Sequence, residues 1–569
     1  MNLMSKHLFL YHTAEDPFAF PAGPGTLKLR LFVQSGQSLC CTVIHSDRYD
    51  SPGSELPQEM ERTGSAGAYD IHEAVLRTET GKCRYQFHIK NPAGENVWYG
   101  ERGMSENREQ AGAFQYAYIH RPQATLLPSW TADAIVYQIY PSSYNQGTLQ
   151  GIADKIPYLH GLGVTAIYMT PIFESPSEHK YNTSDYYKVD PGFGTMEDLR
   201  MLVDTAHRHG MKVLLDAVFN HAGDTFFAFK DVLERGEASP YKDWFYIRSF
   251  PVRQAPVPSY ETFAKAEASM PKLNMDHPDV ADYMMEVAKY WVREAGIDGW
   301  RLDVANEVSP AFWPRFRREL KAEFPDLLLI GEIMHASGPW LRGDQFDGGM
   351  NYVLRDAVLE FFAGQSAGPV RFMEQVLHQE ALYNDQANSA MFQLLGSHDT
   401  LRFLTACKQG GRGWDRESTS LSRMKLAVFF QMTYIGLPMI YYGDEVGMEG
   451  ATDPHCRQPM VWEAQDQNIL LQEWYKQLIS LRKEHEVLRT GGFRPWFTDE
   501  PRNVLGYVRR SEQDRMGLII NNSPNAYQLE LCNYRPDKTV LVDLLSGLTI
   551  RTDKRMLVEI EPFGCLMLH

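Results

Sequence analysis

From Trp130 to about residue 490 the chain keeps repeating one pattern: a short aliphatic run, a polar or glycine-rich bend, a longer amphipathic stretch, then another aliphatic run. Strands that alternate with helices in this way pair in parallel, and the helices cross back over the sheet. Strand-like runs lie at Ile135–Tyr140, Val164–Met169, Lys212–Val218, Gly299–Val304, Leu327–Ile330, Met391–Leu395 and Pro438–Tyr442. A weaker run at Phe346–Tyr352 brings the number to eight. Eight such units fit a closed (β/α)8 TIM barrel of the α/β class better than an open doubly wound sheet, which the pattern alone leaves in play.

The helices between these runs carry their own signals. Thr195 can cap a helix with Asp198 three residues on, Leu199, Leu202, Val203 and Ala206 share one face, and Gly210 ends it. A second helix starts near Asp276 and Pro278, places Val280, Tyr283, Met284, Val287, Ala288 and Trp291 on one stripe, and stops at Gly296. A long aromatic- and Pro-rich insertion, residues 222–276, follows the third strand, and long loops of this kind usually carry function.

Flanking segments follow a different grammar. Residues 1–121 alternate in short stretches such as Leu27–Val33 and Arg84–Lys90, broken by Gly and Pro clusters, which is the pattern of an antiparallel β-sandwich. Arg121–Ser129, with Pro122 and Pro128, reads as a linker to the strand–helix segment over 130–490. Runs at Asn503–Arg509, Met516–Ile520 and Arg555–Glu561 give residues 491–569 as a terminal antiparallel β-domain.

Composition narrows the function classes. A formal net charge of -16 without long acidic runs argues against nucleic acid or an anionic membrane as partner, since both require a basic patch. Aromatic residues make up 12% of the chain, with 11 Trp and 29 Tyr, and aromatic faces stack on the apolar C–H faces of sugars as readily as they fill a core. Seven Cys, two of them adjacent at Cys40 and Cys41, do not form a disulfide framework. With no export signal read in MNLMSKHLFLYHTAEDPFAF, a cytoplasmic, reducing compartment is expected. The most apolar window, Leu426–Tyr442, is interrupted by Gln431, Gly436 and Pro438 and reads as a buried helix followed by a strand.

Barrels place their chemistry at the C-terminal ends of the strands. The third strand carries Asp216 and ends at Asn220 and His221; the fourth, GWRLDVANE, carries Arg301 and Asp303 two apart and so on one side. An Arg beside an Asp in a barrel interior is expected to pair and to keep the carboxylate ionised, as a nucleophile requires. Glu332 follows four aliphatic residues, a setting expected to favour its protonated form and suit it to proton donation. The seventh strand ends at His398 and Asp399. A retaining glycosidase needs two carboxyls roughly 5–5.5 Å apart, one as nucleophile and one as acid and then base. The same Asp, Glu and His types could instead ligate a cation, or individually cap helices and form salt bridges.

The stretches DAVFNH (216–221), GWRLDVANE (299–307), GEIMH (331–335) and GSHDT (396–400) resemble the α-amylase family, glycoside hydrolase family 13. MPKLN (270–274) and the ANE after Asp303 resemble its neopullulanase, cyclomaltodextrinase and maltogenic amylase branch. The resemblance implies double displacement on α-linked glucans, with Asp303 as nucleophile, Glu332 as acid/base and Asp399 binding hydroxyls of the distorted sugar. It implies that His221, His398 and Asp216 belong to the sugar-binding set, that Arg301 orients Asp303, that Tyr181 stacks under the same sugar, and that Asp453 and Arg457 contact the next one. Substrates would be cyclomaltodextrins, maltooligosaccharides and pullulan, cut at α-1,4 bonds, with α-1,6 cleavage left open. A mainly transglycosylating glucanotransferase and a non-catalytic sugar-binding homologue are the alternatives. The N-terminal sandwich resembles the domain through which this branch forms homodimers, one sandwich covering the other subunit's cleft.

Three departures stand out. YNQGTLQG (144–151), after the first strand, is short and lacks the carboxylates with which relatives bind calcium, so no calcium or other cofactor is expected there. Met334 stands where relatives commonly have Trp, which makes the acceptor side less aromatic. His455 occupies a position where Asp is frequent.

Overall fold

The computed structural model describes residues 8–569 except 24, 48–49, 51–53, 79–81, 118–126, 265 and 412–415. Most of the expected linker, Arg121–Ser129, lies outside the described residues. The chain divides into two compact units, one formed by Leu126–Ser366 and Ser389–Gly491, the other by Met1–Thr125, Ala367–Asn388 and Gly492–His569.

The first unit contains the barrel. Its strands are β1 (Val136–Ile139), β2 (Ala166–Met169), β3 (Lys212–Ala217), β4 (Gly299–Leu302), β5 (Leu328–Gly331), β6 (Gly348–Gly349), β7 (Phe392–Leu394) and β8 (Leu437–Tyr441). Neighbours pair in parallel from β1 through β6, β8 pairs with both β1 and β7, and a parallel bridge from Met350 to Phe392 closes the ring. Closure excludes the open sheet. Apart from Lys212 at the start of β3 the strands are buried, which is why they read as near-continuous aliphatic runs.

The eighth run, expected across Phe346–Tyr352, shrinks to a glycine pair. A Cβ on Gly348 would stand 2.2 Å from the carbonyl oxygen of Ala390, so the backbones approach too closely for any side chain. Tyr352 instead opens a helix, Tyr352–Val358, whose N-terminus is capped by the side chain of Asn351.

The helix after β2 is Met196–Arg208, with a reciprocal Thr195–Asp198 capping box and the four expected apolar residues buried. The helix before β4 is Pro278–Ala295, closed by Gly296 at φ 70°. Its cap is His277, within the start expected near Asp276 and Pro278, and Tyr283 is only half-buried. Arg416–Thr433 and β8 split the apolar window into helix and strand, and no described helix is long and apolar enough to cross a membrane.

The 222–276 insertion is built from the helix Phe227–Arg235 and isolated bridges, among them His221–Lys272 and Thr262–Pro271. Leu273 N–H donates to Asn220 O, so the insertion is stitched to the end of β3.

In the second unit, two antiparallel sheets cover residues 10–117, with Thr26–Gln34 paired to Tyr69–Arg77 in one and Cys40–Asp47 to Lys82–Lys90 in the other. Leu27, Leu29, Leu31 and Val33 alternate into the shared core with Phe87 and Ile89. Val504–Arg510, Arg515–Asn521 and Arg555–Ile560 form the terminal sheets close to the expected bounds. All seven Cys are free thiols.

Candidate active site

The ends of β3, β4, β5 and β7, together with the insertion, converge on a cavity of about 530 Å³ lined by Tyr181, His221, Asp303, Glu332, Met334, Asp399, Asp453 and Arg457. His179, Phe263, Met270, Val304, Asn306, Glu307 and His335 complete the lining. Among the described residues no group of three or more His, Cys, Asp or Glu is arranged to hold a metal ion.

Arg301 organises the carboxylates from behind. Its guanidinium is fully buried at the heart of β4 and does not line the cavity. Nη1 lies 2.7 Å from Asp303 Oδ1 and 2.9 Å from Asp216 Oδ1, while Nη2 forms an ion pair with Glu332 Oε1. One cation therefore bridges three carboxylates, two of which open onto the same cavity. Asp216 is the third, closed off from solvent and further held by the hydroxyls of Tyr168 at 2.6 Å and Tyr181 at 3.1 Å. Asp216 and Arg301 thus stand behind the wall of the cavity instead of touching its contents.

The Arg301–Asp303 pairing expected from the sequence is present, and it favours the ionised carboxylate against an opposing effect of burial. Burial raises the Asp303 pKa well above the ordinary carboxylate value; Arg301 opposes this, and the charges of Glu332 and Asp216 add to the rise. Asp216 is pushed up to about 6 by the same desolvation. Three carboxylates share one guanidinium, so the pocket carries surplus negative charge in a region of low dielectric. One oxygen of Glu332 faces Arg301 and the other accepts from Val304 N–H at 3.0 Å. Val304 reaches that position in a left-handed conformation, φ 44°, which is costly for a β-branched residue.

Asp399 is more accessible than Asp303 or Glu332, with 28% of its side chain exposed against 8% and 7%. Arg457 Nη2 lies 3.0 Å from its Oδ1 and His398 Nε2 3.0 Å from its Oδ2. Arg457 also reaches Asp453 at 3.0 Å and donates to the His398 carbonyl at 2.8 Å, so the pair expected at this position is formed and tied to Asp399. Tyr181 lies parallel to the His398 ring, 5.7 Å away with an interplanar angle of 4°. His398 is fully buried and, like Arg301, not part of the lining.

Burial favours the neutral form of both histidines. Desolvation lowers His221 to about 3 and takes His398 well below the ordinary imidazole value. His221 packs against Phe263 of the insertion, centroids 4.8 Å apart. Phe263 and Met270 were not singled out as contacts in the sequence; the signal was the MPKLN motif and the aromatic richness of the insertion. Met334 is 58% exposed at the rim. After β1, Asn145–Gly147 forms a tight 3-10 turn and Thr148 caps the helix Leu149–Asp154, which is why that loop is short.

Residues 138–491 match the family described as alpha amylase, catalytic domain, and residues 4–120 match alpha amylase, N-terminal ig-like domain. The chain is 46% identical to Neopullulanase 2 of Thermoactinomyces vulgaris, over 90% of each chain. It is 40% identical to a cyclomaltodextrinase of Geobacillus thermopakistaniensis, over 98% of each. A solved structure titled cyclomaltodextrinase superposes with a TM-score of 0.92 at 36% identity, covering 98% of this chain and 99% of the other. With its barrel, its converging carboxylates and these relatives, the chain belongs to the α-amylase family of glycoside hydrolases.

Proposed function

We propose that the protein is a retaining α-glucan hydrolase acting on cyclomaltodextrins, maltooligosaccharides and pullulan at α-1,4 bonds. The observation that carries the reading is the pair of carboxyls, Asp303 and Glu332, from adjacent strand ends, bridged by Arg301 and opening onto one cavity. Such a pair supplies a nucleophile and a proton donor to opposite ends of one displacement. The relatives' names, neopullulanase and cyclomaltodextrinase, support the substrate class.

In this reading Glu332 protonates the departing glycosidic oxygen while Asp303 attacks the anomeric carbon and forms a covalent glucosyl ester. Glu332, now a carboxylate, takes a proton from water, which attacks the same carbon and releases Asp303. Asp303 must be ionised for the first step, and the oxocarbenium-like charge that develops on the sugar is what the surplus negative charge of the pocket stabilises. Asp399 accepts hydrogen bonds from ring hydroxyls. Asn220 Nδ2 donates to His221 Nδ1 at 3.3 Å, which leaves Nε2–H as a donor to a sugar oxygen. Tyr181 offers a ring face to the same sugar, and Arg457 with Asp453 meets the next. Arg301 and Asp216 act from behind the wall by orienting Asp303 and Glu332. Met334 gives the rim an apolar surface without the stacking face of an indole.

The reading extends to a cytoplasmic homodimer, in keeping with the free thiols and the N-terminal ig-like domain, and to activity without calcium at the 144–151 loop. Chromatographic product analysis on β-cyclodextrin, pullulan and starch, with and without chelator, tests it. Short maltooligosaccharides from β-cyclodextrin in both conditions are expected. Dominance of longer transfer products, or loss of activity with chelator, would contradict it. Sedimentation velocity reports the dimer.

A further inference from the structure

Gln138 lies within β1, where every residue is buried, and its own side chain is wholly closed to solvent. A buried amide in an apolar strand is costly unless it is put to use. Its Nε2 stands 2.8 Å from Nδ1 of His398. The sense of that hydrogen bond follows from what the other ring nitrogen meets. Nε2 of His398 lies 3.0 Å from Asp399 Oδ2 and 2.6 Å from the Tyr181 hydroxyl. A bare lone pair on Nε2 would be repelled by the carboxylate oxygen beside it, so Nε2 bears the hydrogen and donates it to the Tyr181 hydroxyl. The ring is held neutral by burial, with Arg301 and Arg457 also disfavouring a second proton. A neutral imidazole has one N–H, and Nδ1 is therefore a bare lone pair that requires a donor. The amide N–H of Gln138 meets that requirement. The Tyr181 hydroxyl, accepting from His398, then directs its own hydrogen to Asp216 Oδ2 at 3.1 Å.

We infer that Gln138 is a positioning residue: its amide fixes His398 as the Nε2–H tautomer, so that the ring donates to Tyr181 and turns the positive end of its N–H dipole, not a lone pair, toward Asp399. This rests on the reading of Asp399 as a sugar-binding carboxylate, and it adds a residue from a strand that otherwise contributes no group to the cavity lining. The opposite tautomer would turn a lone pair toward the Asp399 carboxylate, and the repulsion would displace that group from the position in which it receives a sugar. An amide is required because a Glu at the same place accepts and calls for a hydrogen on Nδ1.

The experiment is nitrogen NMR on protein labelled at its histidine rings, with the His398 signals identified by their loss in His398→Asn. In the wild type, hydrogen on Nε2 alone is expected. In Gln138→Glu the hydrogen should appear on Nδ1, and kcat on cyclomaltodextrin should fall roughly a hundredfold, whereas Gln138→Met, which removes the donor and keeps the volume, should lose roughly tenfold in kcat with little change in KM. A purely structural role would lower the melting temperature and leave the ring hydrogen and kcat where they were. Neutron diffraction on wild-type crystals reads the same hydrogen without any variant. Hydrogen on Nδ1 in the wild type, or a Gln138→Glu variant with an unchanged ring and unchanged kcat, would overturn the inference. A wild type that binds but does not turn over cyclomaltodextrin would instead refute the hydrolase reading and leave the ring assignment standing.

Discussion

Arg301 in the barrel unit and Arg30 in the other unit are both buried among carboxylates, yet their surroundings differ in charge balance. Arg30 pairs with Glu73 at 2.7 Å and Asp385 at 2.9 Å, and Lys28 joins the same two acids at 3.2 and 2.9 Å, with Arg494 at 3.4 Å from Glu73. With three cations around it, Glu73 is held down to about 2 even though burial alone would raise it. Glu380, half-buried alongside, is pushed up to about 7 by desolvation. The space left within this cluster is about 10 Å³. Arg301 faces three carboxylates alone, Asp303 and Asp216 rise, and the adjoining cavity holds about 530 Å³. A buried network whose cations match its acids ties elements of a fold together, whereas one with surplus acids and open space is arranged to meet positive charge that arrives later.

The largest expected effect follows from removing one of the surplus acids. Asp303→Asn should cut turnover of cyclomaltodextrin by roughly 10⁴-fold or more while binding persists in calorimetry, because covalent catalysis is lost and hydrogen bonding partly survives. Its melting temperature should equal or exceed that of the wild type, since excess negative charge is relieved. A variant that is both inactive and much less stable would place Arg301 in the same class as Arg30.

Glu73→Gln should do the reverse. Breaking a buried pair costs about 3–5 kcal/mol, read as a drop in unfolding free energy, with turnover per folded molecule retained. The pH dependence has a definite sign. The folded pKa of about 2 lies below the ordinary value of 4.5, so the contribution of Glu73 is present above 4.5 and lost as pH falls toward 2. Melting curves of wild type and variant should converge on acidification through that window.

Asp303 predicts an opposite displacement in the kinetics. Its raised pKa means that the nucleophile takes up a proton at a pH above the ordinary carboxylate range, so the acid limb of kcat/KM should fall above roughly pH 4. A limb at or below that value would show that Arg301 outweighs burial. The smallest effect is expected at the rim: Met334→Trp should raise the ratio of transfer to hydrolysis roughly two- to tenfold, the scale of one added aromatic contact, read from product distributions at high substrate.

The contrast between the two arginines bears on what the sequence could reveal. The strand-end positions of Asp303, Glu332 and Asp399 were legible because each closes an aliphatic run, and barrel strands are read by such runs. β6 was nearly invisible, since close backbone approach at Gly348 leaves no side-chain pattern. Arg301 was expected to serve Asp303 alone; that it also holds Asp216 and Glu332 depends on parallel register between neighbouring strands, which no local spacing encodes. The neutral settings of His221 and His398 come from burial by residues far off in sequence, as does the Tyr181–His398 stack. Gln138 carried no signal, being one polar residue in an apolar strand. The grouping of Ala367–Asn388 with the flanking β-domains was equally hidden, because Asp385 finds Lys28 and Arg30 across more than 300 positions.

The most direct test of the paired carboxylates is to trap the covalent intermediate. Incubation with a fluorinated glucosyl fluoride that forms the ester quickly and releases it slowly, followed by proteolysis and mass spectrometry, should find one glucosyl unit on the peptide bearing Asp303. An adduct on a different carboxylate, or direct inversion at the anomeric carbon with no adduct, would contradict the double displacement.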